Sequence, residues 1–408
     1  MRILMLHNRY QVSSGEESVV KAEQALLESN GHTVKLLEVD NSQIEGALSK
    51  VKAALNVVYS HGSRQWVKNT ISEFQPNIVH VHNFFPLLSP SVYFACNESG
   101  IPVVQTLHNY RILCATASFY RDGQICEDCL GQPFGWSGVI HQCYRGSRVG
   151  SAAVSAMASV HRWIGTWANR VDAYICLTEF AREKFIQGGL PASKLFIKPN
   201  FVYPELQSFD APKANPEYQS EQKPYFLYVG RLTPEKGLEV LLAAWEFVPD
   251  QVQLKIVGEG PLGSKVAEIA ARNQEIQCLG RQAPDVVRSL MRNAIALVFP
   301  SVWYEGLPLT IIESFSTGTP VIASKIGALA ELIDQSRNGL QFCPGDAEDL
   351  VAKIQWALNH PDELAQMGQR AYEEFEAKYT PEKNYHQLMN IYKNVTNLNP
   401  LRREEFAD

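Results

Sequence analysis

The chain has 408 residues, 45% hydrophobic and 20% charged, with a net charge of −6 at pH 7. That is length for two ordinary domains and the composition of a globular protein; no general basic excess points to nucleic acid, and no run approaches the roughly 18 apolar residues of a membrane span. The opening MRILMLHNRY reads straight into a strand without a signal-peptide pattern, and eight cysteines in this length are no secreted disulfide framework, so a cytoplasmic place is expected.

Arg2 to His7 is a short apolar strand, followed by a polar turn at Ser13-Ser14-Gly15-Glu16-Glu17. Ser18 to Ser29 has helical spacing and Asn30-Gly31 stops it; Thr33 to Val39 is a second strand. This is the βαβ opening of a doubly wound sheet. The turn lacks the full Gly-x-Gly-x-x-Gly pattern, but a Gly turn before a helix start can still receive a phosphate or a sugar hydroxyl. Glu16 and Glu17 are expected to face an acceptor or solvent. Asn77 to Val81 and Pro102 to Leu107 are further buried strands, with a helix over Ser89 to Glu98 between them. The first strand ends in His80, His82 and Asn83, which could line an acceptor side, and the second in His108 and Asn109. Val171 to Leu177 and Phe196 to Pro199 complete the strands of this half, residues 1–202.

Within it, residues 110–147 form an insertion with Cys114, Cys126, Cys129 and Cys143. A Cys-x-x-Cys core with one further Cys on each side has the ligand count of a structural zinc site. His141 is a substitute ligand, and reduced surface thiols, a redox pair at Cys126 and Cys129, or an iron–sulfur cluster are the other readings. The insertion looks too poor in apolar residues to hold its own core. The helix that follows, Val149 to Trp167, is small and apolar with Arg145, Arg148, Arg162 and Arg170 nearby. It reads as a core helix, with docking on anionic lipid as the alternative.

Prolines 204, 212, 216 and 224 among polar residues mark a linker over 203–224. A second α/β half, 225–380, opens with strand Tyr225 to Val229 and the loop Gly230-Arg231-Leu232-Thr233-Pro234-Glu235-Lys236-Gly237. Strand Gln253 to Val257 runs into Gly258-Glu259-Gly260, and Gly280-Arg281-Gln282 follows the next strand. The organising stretch is Phe299 to Gly318, FPSVWYEGLPLTIIESFSTG. It reads as the end of a buried strand, a loop, and a helix from Leu309, with Glu305 and Glu313 across the junction where open α/β sheets bind ligands. Residues 381–408 hold a last amphipathic helix, expected to pack back on the first domain, and a tail.

With these pieces in order the chain resembles the retaining glycosyltransferases of family 4. The resemblance rests on Gly230-Arg231 through Lys236-Gly237, Gly258-Glu259-Gly260-Pro261, Pro300-Ser301 through Glu305-Gly306 to Glu313, Gly318-Thr319-Pro320, Asn338-Gly339 and Pro344-Gly345-Asp346. In the first half it rests on Gly15-Glu16-Glu17, Thr106-Leu107-His108 and Lys198-Pro199-Asn200. It implies the GT-B fold, two facing Rossmann-like domains with a cleft between them. It further implies transfer of a sugar from a UDP- or GDP-sugar to a glycan or lipid-linked acceptor in surface-polysaccharide synthesis, with peripheral membrane contact and no catalytic metal or other cofactor. Arg231 and Lys236 would neutralise the leaving diphosphate, a fork and a point charge respectively. Glu305 would position the donor sugar rather than attack it, and His108 would lie near that sugar. Gly15, Gly230, Glu259, Arg281, Gly306, Leu307 and Glu313 would contact the donor, Glu313 through ribose hydroxyls. An epimerase or hydrolase acting on nucleotide sugars, or a non-catalytic nucleotide-sugar-binding protein, are the alternatives.

Overall fold

The computed structural model describes residues 1–9, 15–41, 56–204 and 223–397. The chain divides into two compact units, the first made of residues 1–119, 126–200 and 384–408, the second of 120–125 and 201–383. Most of the expected linker, residues 205–222, and the tail 398–408 lie outside the described residues.

The first unit is built on six parallel strands: β1 (Arg2–Arg9), β2 (Thr33–Asp40), β3 (Ile78–Val81), β4 (Val103–Leu107), β7 (Ala173–Cys176) and β8 (Leu195–Ile197); β5 (Tyr120–Arg121) and β6 (Gln124–Ile125), in the insertion, pair only with each other. They lie in the order β2-β1-β3-β4-β7-β8. β3, β4 and β7 are buried along their whole length, which is why they read as unbroken apolar runs rather than alternating ones. The strand order reverses between β1 and β3, so the carboxyl ends of those two strands frame the switch point at which such sheets take ligands. The first helix starts at Gly15, earlier than its apolar spacing suggests, and runs to Ser29, with Glu16 and Glu17 in its first turn. Acidic side chains there oppose the positive end of the helix dipole. The last helix, Pro381–Asn397, contributes Leu388, Met389, Ile391, Tyr392 and Val395 to the same core as Ile3, Met5, Val104 and Ile175.

The second unit repeats the scheme with β9 (Tyr225–Val229), β10 (Gln253–Val257), β11 (Ile276–Gly280), β12 (Leu297–Phe299), β13 (Val321–Ser324) and β14 (Gly339–Phe342). Their order is β11-β10-β9-β12-β13-β14. Counted within the unit this is 3-2-1-4-5-6, the dinucleotide-fold order, with its switch point between β9 and β12. Both units are thus Rossmann-like. Among the described residues no helix is long and apolar enough to cross a membrane.

Candidate functional site

The loops after β9 and β12 meet at the second unit's switch point. Gly237 has φ 70°, and a Cβ there would fall 1.7 Å from the carbonyl oxygen of Pro300. Gly258 has φ 140°, and its Cβ would fall 1.9 Å from the oxygen of Gly230. Both positions therefore need glycine for backbone direction and for space. The Val302 amide donates to the Glu235 carbonyl at 3.0 Å, and the Leu232 amide to the Glu259 carbonyl at 2.9 Å. These contacts hold three loops in one assembly.

Glu305 sits at its centre, 7% exposed. Its Oε1 accepts from Lys236 Nζ at 2.7 Å, Ser301 Oγ at 2.6 Å and Trp303 Nε1 at 2.7 Å. Among the described residues its Oε2 accepts none of the hydrogen bonds, so one oxygen is anchored and the other is left for a ligand. Three donors on one oxygen disperse its charge, which suits a positioning carboxylate better than a nucleophile. Lys236 also lies over the rings of Phe299 and Trp303, at 5.6 and 5.4 Å from their centroids. The Arg231 side chain is 55% exposed, 3.9 Å from Glu235, which leaves its fork open to an incoming anion.

Glu259 and Arg281 are exposed, on the loops after β10 and β11. Gly230 follows β9, and Gly306 and the buried Leu307 follow β12. Glu313 lies in the helix Leu309–Ser316, and burial raises its pKa while Arg288 opposes the rise. The predicted second-half residues thus lie along the carboxyl edge of four neighbouring strands.

In the first unit, His108 follows β4, and the surprise is what stands behind it. Its Nε2 is 3.0 Å from His82 Nδ1. His82 Nε2 is 3.2 Å from Glu23 Oε1, His80 Nδ1 is 3.0 Å from the same oxygen, and Lys198 Nζ donates to Glu23 Oε2 at 2.9 Å. Glu23, His80, His82 and Lys198 are all at most 3% exposed. Burial, foremost, holds the His108 pKa well below its usual range and takes that of His80 down to about 4. Glu23, which carries the key carboxylate, lies mid-helix with no local pattern to single it out. Glu16 and Glu17 do not face solvent: Glu17 is 6% exposed, and the Glu16 carboxylate is 3.7 Å from His7. An acidic first helical turn packed over β1 explains the difference. Gly15 is exposed at the start of that helix.

The insertion is better anchored than its composition suggests. Tyr110, Ile112, Leu113 and Phe119 are at most 5% exposed, and Tyr110 stacks on Phe185 with ring centroids 5.6 Å apart. The chain therefore does not need a metal to fix the root of the insertion. Cys114, Cys126, Cys129 and Cys143 are all partly buried, and the backbone at Gly135 and Gly138 packs against Cys129 Sγ, where a Cβ would stand 3.5 and 3.6 Å away. Among the described residues the set of three potential ligand side chains with atoms mutually within 4.8 Å is Glu23, His80 and His82, not the thiols. A tetrahedral zinc needs sulfurs about 3.8 Å apart, so the thiols would have to draw together to close on one. At the histidine set, Lys198 already supplies a cation to the same carboxylate.

The helix Arg148–Trp163 meets the expectation of a core helix on one face only. It buries Ser151, Val154, Ser155, Met157 and His161 and leaves Val149 74% and Trp163 88% exposed. Trp136 and Ile140 of the short helix Trp136–Ile140 are exposed as well.

Two Rossmann-like units, the second carrying a lysine–glutamate assembly at its switch point, define the class of enzymes that handle activated sugars or nucleotides on two α/β domains. Residues 15–206 match the model for Glycosyltransferase Family 4 and residues 210–374 that for Glycosyl transferases group 1. The chain belongs to this glycosyltransferase family. It is 30% identical over 172 residues to an uncharacterized glycosyltransferase of Methanocaldococcus jannaschii, covering 42% of this chain and 48% of that protein. It is 25% identical over 248 residues to the alpha-D-kanosaminyltransferase of Streptomyces kanamyceticus, covering 57% and 64%. These matches span about half to two thirds of the relatives' length. Among solved structures, Anabaena HepE in complex with UDP aligns over 97% of this chain and 100% of its own, with a TM-score of 0.68 at 16% identity. A glycosyltransferase from Rickettsia africae gives 0.68 at 18%, over 97% and 98%. These likenesses establish the GT-B fold.

Proposed function

We propose that the chain is a retaining glycosyltransferase that moves a sugar from a UDP- or GDP-sugar to a glycan or lipid-linked acceptor in surface-polysaccharide synthesis. The observation that carries the reading is the assembly of Lys236, Glu305 and the open Arg231 at the second unit's switch point. As the glycosidic bond breaks, negative charge builds on the leaving diphosphate, and preorganised cations are worth most there. Arg231 offers its planar fork and Lys236 its point charge, so no divalent metal is called for. When the diphosphate takes Lys236, the Glu305 carboxylate keeps two donors and gains freedom to hold sugar hydroxyls. HepE has been solved with UDP and with UDP-glucose, and related proteins are named for lipopolysaccharide and O-antigen sugars, which supports the donor and the acceptor class. The exposure of the apolar Trp136, Val149 and Trp163 and of the basic Arg145 and Arg148 in the same stretch of chain supports peripheral contact with an anionic membrane surface. A structural zinc on Cys114, Cys126, Cys129 and Cys143 would appear as one equivalent of metal in an assay of the purified chain.

The deciding experiment is a melting screen against nucleoside diphosphates and their sugars. Ligand at a hundred times its dissociation constant should stabilise the fold by about 2.7 kcal/mol. The response should be selective for one base and should disappear in Lys236→Ala and Arg231→Ala. No response to any nucleotide would sink the reading.

A further inference from the structure

We propose that Lys198, Glu23 and His82 are positioning residues that fix His108 as the Nε2–H tautomer, presenting Nδ1 as an acceptor for a substrate hydroxyl at the carboxyl edge of the first sheet. The use of that acceptor rests on the glycosyltransferase reading; the tautomer does not.

The order of protons follows from the ends of the chain of contacts. Lys198 can only donate, and its Nζ is shared between Glu23 Oε2 at 2.9 Å and Asn384 Oδ1 at 3.1 Å. Glu23 is therefore an ionised acceptor, held well below the usual carboxylate range against its own burial by Lys198 and His80. Its Oε1 is 3.0 Å from His80 Nδ1, which is itself engaged by Tyr392 Oη at 2.7 Å, and 3.2 Å from His82 Nε2. Neither Oε1 nor His82 Nε2 makes an aligned hydrogen bond among the described residues, so the two buried atoms face each other as a close polar contact. An unprotonated Nε2 would turn its lone pair toward the anionic Oε1 at 3.2 Å, a buried repulsion, so His82 Nε2 carries the proton. A neutral His82 then has a lone pair at Nδ1, and the 3.0 Å contact there requires a proton on Nε2 of His108. That leaves Nδ1 of His108 unprotonated. His108 is only partly buried and its Nδ1 has no partner among the described residues. A doubly protonated His82 would reverse the order, but it would add a second cation to a buried pocket whose carboxylate, Glu23, is already matched by Lys198 at 2.9 Å. A histidine whose acceptor nitrogen is fixed in advance spends no free energy choosing a tautomer when a hydroxyl arrives, the logic of carboxylate–histidine pairs elsewhere.

The test is long-range nitrogen–proton NMR on the full chain labelled with nitrogen-15 histidine, with the His108 signals assigned by their loss in His108→Gln. Wild type should show Nε2 protonated and Nδ1 unprotonated through neutral pH. His82→Phe keeps a flat ring beside His108 while removing the acceptor, and Glu23→Gln removes the charge that orients His82. Each should give mixed His108 tautomers, with kcat for nucleotide-sugar turnover down by about 10–100-fold and KM for the donor changed far less. A protonated Nδ1 in wild type, or one unchanged tautomer across both variants, overturns the proposal. Because the wild-type spectrum needs no variant, a variant that fails to fold does not protect it. Failure of the glycosyltransferase reading would show separately, as an absent melting response to nucleotides.

Discussion

Glu16 and His7 face each other at 3.7 Å in the first unit, and burial moves them in opposite directions. Desolvation is the leading cause in both: it lifts the Glu16 pKa from 4.5 to about 8 and takes that of His7 from 6.5 to about 3. A carboxyl with a raised folded pKa favours the fold fully below its unfolded value, and that contribution is lost as pH rises. For Glu16 the window is pH 4.5 to 8. His7 acts on the other side, with stability lost as pH falls from 6.5 toward 3. Glu16→Gln should therefore leave Tm near pH 4.5 unchanged, raise it at pH 8, and flatten the slope between. A variant whose Tm falls with the wild-type slope up to pH 8 would refute the assignment. At this scale the sequence was informative where chemistry is local. Lys236, Glu305 and Glu313 stand out because they flank a strand, a loop and a helix in succession. The wiring behind His108 does not, because Lys198 and Glu23 meet across 175 positions, and only the fold brings them together.

The helix Arg148–Trp163 shows why an apolar segment does not declare its own orientation. Its small residues look like core packing, and one face does bury Ser151 and Ser155 together with Val154, Met157 and His161. Val149 and Trp163 are exposed, as are Trp136 and Ile140 of the preceding short helix, and no periodic stripe reveals this because the buried face mixes serine with valine and methionine. Fully burying a side chain of that size is worth about 1.5–3 kcal/mol, and each basic residue near an anionic surface adds about 1 kcal/mol. Flotation with phosphatidylserine-containing vesicles should carry the protein, and vesicles of phosphatidylcholine alone should carry much less. Trp163→Ser should weaken binding by about tenfold or more, which 1.4 kcal/mol supplies. Equal flotation of the variant would show that this face meets something other than lipid. By contrast the strands of the two parallel sheets were legible, most clearly where burial on both faces leaves unbroken apolar runs, whereas the short antiparallel pair Tyr120–Arg121 and Gln124–Ile125 carries no such signal.

At the scale of the molecule, the chain leaves the first unit near Asn200, builds the second, and returns at Asn384. The first unit is therefore incomplete until the last helix is made. That helix places Leu388, Met389, Ile391, Tyr392 and Val395 in the first unit's core, each at most 7% exposed. It also closes the polar network, since Tyr392 Oη is 2.7 Å from His80 Nδ1 and Asn384 accepts from Lys198 at 3.1 Å. Five such side chains at about 1.5–3 kcal/mol each give on the order of 10 kcal/mol, as much as a whole domain's stability of about 5–15 kcal/mol. Ending the chain after Thr380 should thus unfold the first unit, leaving Lys198 and Glu23 without their cover. The second unit keeps its sheet and all of the Lys236–Glu305 assembly. Calorimetry should lose the first unit's transition and retain the other's, and limited proteolysis should leave a resistant fragment over residues 223–380 that still responds to nucleoside diphosphate. Tyr392→Phe, which removes one hydroxyl and no packing, should keep both transitions with a shift of a few degrees at most. If the truncated chain keeps both, the last helix is an accessory to the first unit rather than part of its core.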